Sequence, residues 1–116
     1  MDLLEKIQKA ADQLPEIKVA VAEWESDVTL RRLSLAERSD MFERLSGENN
    51  KTNVASLLVA FSLVDEEGNK LHVKNGPDKI YQSLESGCPE VVELLYKEAD
   101  KLSAVTKSSV EEIEKN

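Results

Sequence analysis

His72, Cys88 and three groups of carboxylates are the side chains whose types invite chemistry. His72 is the single histidine of the chain. A catalytic triad or a catalytic zinc site needs a histidine beside particular partners, and geometry defines such a site more than residue type does. His72 lies in a short run after a turn and no Gly-x-Ser-x-Gly accompanies it, so it reads as a surface or half-buried histidine. Cys88 stands where a helix begins, a position that lowers a thiol pKa. No second histidine is there to make it a nucleophile, and it reads as a small buried side chain. Asp65-Glu66-Glu67-Gly68-Asn69 looks like part of a calcium loop. However, that loop requires glycine sixth and glutamate twelfth, and here glycine is fourth and Gly76 is twelfth. A solvated turn fits better. Glu23, Glu25 and Asp27 flank Trp24. Paired carboxylates serve glycoside hydrolysis only across a substrate cleft, for which this chain is short. Trp24 itself reads either as an interface anchor or as the largest core residue folded inward. No Gly-rich phosphate loop, Cys-x-x-Cys or His-Glu-x-x-His occurs. Neither a catalytic residue nor a cofactor or metal ligand emerges, and the expectation is a protein that is not an enzyme.

Bulk composition narrows the partners. The chain has 116 residues, enough for one domain with a modest core. Acidic residues outnumber basic ones 23 to 15, for a formal net charge of −8. Affinity for nucleic acid and for anionic membranes depends on basic surface, so neither is expected as a partner. One cysteine permits no internal disulfide, which fits a reducing compartment. The first residues lack the pattern of a signal peptide and no apolar run approaches the ~20 residues of a membrane span, so a cytoplasmic location is expected.

The elements that must carry these side chains follow from periodicity. Leu3, Ile7, Ala10, Ala11 and Leu14 form one helical stripe that Pro15 stops. Ile17–Val21 and Val28–Arg31 alternate with period two and predict a hairpin with Trp24 in its connection. Ser34-Leu35-Ala36-Glu37 is a capping box opening a helix to about Leu45, with Leu35, Phe42 and Leu45 on one face and Gly47 as a left-handed cap. After a polar loop over 48–52, Val54, Leu57, Leu58, Phe61 and Val64 predict the central core helix. Leu71-His72-Val73 reads as a brief extended stretch. Pro77 opens a helix whose Ile80, Tyr81 and Leu84 face inward. Pro89 opens another, to about Leu102 or Val105, with Val92, Leu95, Ala99 and Leu102 inside. The fold class expected is mainly α, a compact bundle of about four to five helices with a small N-terminal β-hairpin (α+β). Residues 1–105 form one domain, and 106–116 a polar, mobile C-terminal tail in which Ser109 caps at most a short helix.

Two motifs carry a resemblance. Leu33-Ser34-x-x-Glu37-Arg38-x-x-x-Phe42 follows the tryptophan-bearing β stretch, and Ser62-Leu63-Val64-Asp65-Glu66-x-Gly68 ends the most apolar helix. In this order, with a terminal helix and an acidic tail, residues 17–105 resemble the tail assembly chaperones of long-tailed bacteriophages and prophages. The resemblance implies a non-catalytic protein that binds the long, helical, aggregation-prone tape-measure protein in the bacterial cytoplasm, with the tail tube protein as a further partner. Such a protein is absent from the mature virion. Self-association is compatible with this reading. Negative charge would keep a coated helix soluble, and an uncovered apolar strip would receive an amphipathic helix. Trp24, Leu35, Phe42, Val91 and Leu94 are the candidate contacts; a wider core burying Val91 and Leu94 is the alternative for those two. Many of these chaperones are made in two lengths by ribosomal slippage, and Glu114-Lys115-Asn116 is compatible with the heptamer A-AAA-AAC. The competing readings are a small structural tail or neck component of the virion and a generic helical interaction domain. An acidic DNA mimic ranks lower, because the carboxylates are scattered and not in rows.

Overall fold

The computed structural model describes residues 2–11, 13–46 and 52–115, apart from the side chains of Ala11 and of 103–115. Helix α1 spans Leu3–Ala11 and stands before the hairpin of β1, Glu16–Val21, and β2, Ser26–Arg31. The strands pair antiparallel with Ile17 opposite Leu30 and Val19 opposite Val28. These pairs put the apolar positions of both strands on one face, as the period-two pattern requires. Between the strands a 3-10 turn over Ala22–Trp24 leads to Glu25, whose φ of 50° is left-handed and lets the chain reverse.

Helix α2, Leu35–Leu45, begins at Ser34 with the expected capping box: the Ser34 hydroxyl accepts from the Glu37 amide at 3.2 Å and the Glu37 carboxylate accepts from the Ser34 amide at 2.8 Å. The Gly47 cap and most of the 48–52 loop lie outside the described residues. Helix α3, Val54–Ser62, is the core helix, buried on all sides from Ser56 to Ser62. A helix apolar around its whole circumference belongs in an interior. Its first residue, Val54, is exposed, and Val64 is not helical. The helix stops at Ser62 because Leu63–Val64 turn extended and become strand β3, pairing with Leu30 and Thr29 of β2. The free edge of β2 thereby gains partners that a continued helix would have denied it.

Leu71-His72-Val73, expected as extended, opens the short helix α4, Leu71–Asn75. A bridge between Val64 and Lys70 closes the 65–69 turn. Gly76, at φ 82°, then ends α4 by donating its amide to the His72 carbonyl at 2.8 Å. Three residues of alternation fit one turn of helix as well as a strand, and these local constraints decide for helix. Helix α5 spans Pro77–Glu85 and helix α6 Pro89–Lys115. Backbone helix thus continues through 106–115, beyond the apolar stripe. No glycine or proline follows Pro89, and Ala104, Glu111, Glu112 and Glu114 favour helix.

The molecule is mainly helical, with a three-stranded antiparallel sheet ordered β1-β2-β3. The core joins Val21, Val28 and Leu30 of the sheet to Leu57, Val59 and Phe61 of α3, Ile80 and Leu84 of α5, and Leu95 and Ala99 of α6. Among the described residues no helix is long and apolar enough to cross a membrane.

Candidate protein-binding surface

The surface is best built outward from Glu37. Its carboxylate, besides capping α2, accepts from Lys70 Nζ at 3.1 Å on both oxygens and meets His72 Nε2. Lys70 Nζ also donates to the Phe61 carbonyl at 2.6 Å, and the His72 ring meets Phe61 edge-on at 4.9 Å between centroids. Three segments, at the start of α2, the end of α3 and the start of α4, are thus tied at one buried point. Burial by itself pushes the Glu37 carboxyl up, but the Ser34 amide, His72 and the Lys70 charge together outweigh it and hold it below the ordinary value. Burial pushes Lys70 down, and the attraction of Glu37 opposes this only in part. The polar atoms of the cluster bond to one another, and among the described residues no buried side-chain nitrogen or oxygen lacks a partner. His72 is therefore a half-buried histidine that secures α4. The cluster joins positions 33 and 35 residues apart, and no local pattern announced it.

Cys88 is half-buried ahead of α6, its thiol donating to a Glu90 carboxylate oxygen at 2.9 Å. The 65–69 carboxylate run is a turn held from within: one Asp65 oxygen accepts from the amides of Glu67 at 2.9 Å and Asn69 at 3.0 Å.

With α2 pinned by Glu37, Met41 and Leu45 pack toward the core and the face flanking them looks outward. Leu35 and Phe42, a heptad apart on that face, are 79% and 54% exposed. Arg44 pairs with Asp40 within α2 at 3.0 Å and ties α2 to α5 through Asp78, and its guanidinium lies over the Phe61 ring. Trp24 at the hairpin tip is 42% exposed, between the anchor and core readings but with much of its ring open. It stands in the wall of two adjoining clefts of about 460 and 490 Å³, whose shared lining includes Leu63 and Leu71. Leu94 is 40% exposed on α6, whereas Val91 is 2% exposed and belongs to the core. Val91 is therefore corrected from a surface contact to a packing residue. The side of α6 that faces the sheet and α3 is wider than the single stripe through Val92, Leu95 and Ala99, and it takes in Val91 as well.

The structure brings Trp24, Leu35, Phe42 and Leu94 to the surface on three different elements. It adds exposed apolar surface outside those candidates: Leu3, Leu4 and Ile7 of α1, and Val73 of α4. The α1 stripe was visible as a period but nothing in a period says whether it is covered. No family model matches the sequence, and comparison with curated proteins and with solved structures yields no match either.

Proposed function

We propose that this protein is a phage tail assembly chaperone, a non-catalytic binder that keeps the tape-measure protein soluble in the host cytoplasm and does not remain in the mature virion. The supporting observation is that Leu35 and Phe42 stand uncovered on a helix held rigid from beneath, on a chain of net charge −8. A pinned apolar face offers a groove partner to an amphipathic helix at little ordering cost. The surplus of carboxylates gives the coated complex the charge that resists association. Trp24 and Leu94 extend the apolar contact onto neighbouring elements.

The test is co-expression with a tape-measure protein from the genome that encodes this chain. The expected outcome is a soluble complex containing both chains, with the tape-measure protein insoluble when expressed alone and this protein absent from purified particles. Recovery of this protein in stoichiometric amount from finished particles assigns it instead to the virion as a structural component. Failure to change the solubility of the tape-measure protein overturns the chaperone reading.

A further inference from the structure

Two complementary features of one chain face solvent. The first is α1: every residue from Asp2 to Ala10 is exposed, and Leu3, Leu4 and Ile7 are 73%, 63% and 57% exposed along one stripe. An amphipathic helix of this length is not held by its own propensity, and its apolar face calls for a cover. The second is the groove formed by the two clefts that share Trp24. Leu63, Leu71, Ile80 and Leu84 make its apolar floor, and Trp24 stands between the lobes. The charges at its rim are polarised. One lobe carries Asp27, Asp65, Glu66 and Glu67 with Lys74, and the other carries Lys79 as its charged residue. The charges of α1 are polarised too, with Asp2 and Glu5 at its start and Lys6 and Lys9 toward its end.

We infer that α1 of one copy docks in this groove of a second copy, and that the exchange is reciprocal, giving a two-fold symmetric dimer. The charge pattern sets the direction. The first turn of α1 lies in the Lys79 lobe, and Lys6 and Lys9 lie beside the carboxylates of the 65–67 turn. Helix-in-groove docking of this kind needs apolar side chains at i, i+3 or i+4, and Leu3, Leu4 and Ile7 supply them. The chain's own α1 does not line this groove. It is tethered to the hairpin at Glu16, opposite the tip where Trp24, Ser26 and Asp27 line the groove. A second copy is free of that tether, and a two-fold exchange doubles the contact, as isologous dimers do. This inference shares Trp24 with the proposed partner contact, but its test substitutes α1 and Ser83 and leaves Leu35 and Phe42, which carry the chaperone reading, untouched.

Sedimentation equilibrium on the full chain tests it, together with a cross-link. The wild type is expected at twice the 13.0 kDa of one chain. Leu3→Glu with Ile7→Glu on the exposed α1 stripe, and separately Ser83→Arg in the exposed groove wall, are each expected to weaken the dimer at least tenfold while the circular dichroism of the folded body is kept. In a Cys88→Ser background, Leu3→Cys with Ser83→Cys is expected to give a covalent dimer on mild oxidation. A monomeric wild type, or a dimer indifferent to the α1 substitutions, overturns the inference. So does a cross-link that closes within one chain.

Discussion

The Glu37 carboxylate receives hydrogen bonds from the Ser34 amide and Lys70 and pairs with His72, all within a site almost closed to water. An ion pair in such a place is a weak net stabiliser, because desolvation offsets attraction, yet removing one member leaves an uncompensated charge. Glu37→Gln is therefore expected to lower the stability by about 3 kcal/mol, read as a shift in urea midpoint with an unchanged slope. The double variant Glu37→Gln, Lys70→Met should lose less than the two single losses added together, because the second change removes the stranded ammonium. A double variant that loses the full sum would show that the two side chains act independently. The sign of the pH dependence follows from the lowered carboxyl. Its folded value lies below the ordinary 4.5, so its contribution is present in full above 4.5 and is lost as pH falls through the folded value. The stability gap between wild type and Glu37→Gln should accordingly narrow as the pH is taken down below 4.5. A gap that stays constant from neutral pH to acid would contradict this assignment.

At the scale of elements, α2 was fully legible up to its last turn, since Ser34 and Glu37 form a capping box that needs only neighbours three residues apart. Ser34→Ala is expected to cost about 1 kcal/mol, measurable by thermal unfolding. A larger loss would mean that the Glu37 cluster depends on the cap as well. The hairpin, α3, α5 and the first part of α6 were legible because their periods are long enough to choose an element; the continuation of α6 through 106–115, expected as a tail, was not. Elements fixed by distant partners failed too. Strand β3 exists because β2 has an open edge beside it, and α4 starts where Lys70 reaches Glu37 and Phe61. Neither fact is written within three or four residues of those elements. Of the candidate contacts, Leu35, Phe42 and Leu94 are exposed, Trp24, left open between anchor and core, is partly exposed, and Val91 is buried. A single substituted face of α6 cannot be told from its neighbour without knowing how many elements pack around it. The outer face of α2 permits a clean separation of stability from binding. Leu35→Glu with Phe42→Glu changes two exposed side chains and should move stability by no more than about 0.5 kcal/mol each. Capture of the tape-measure protein in co-expression should be lost. Retained capture would move the binding surface elsewhere on the molecule.

For the whole molecule, the charge and the apolar surface answer different kinetic questions. A net charge of −8 acts at a distance, raising the encounter rate with a basic face and depending on ionic strength. In the proposed complex, Leu35, Phe42, Trp24 and Leu94 would act only in contact, where their burial would govern how long it lasts. The screening length shortens from about 14 Å at 50 mM salt to about 4 Å at 500 mM. The long-range field is therefore lost across that range while the apolar contacts are unaffected or slightly strengthened. For a helical segment of the tape-measure protein with a basic flank, the association rate is expected to fall by about tenfold or more between those salts. The dissociation rate should change by no more than about twofold, because the contacts that must break are apolar. Surface-immobilised binding kinetics read the two rates separately. The reverse pattern, a steady association rate with dissociation accelerated by salt, would place ion pairs and not the exposed apolar side chains at the centre of the contact. The carboxylates at the rim of the Trp24 groove would then be the first positions to substitute.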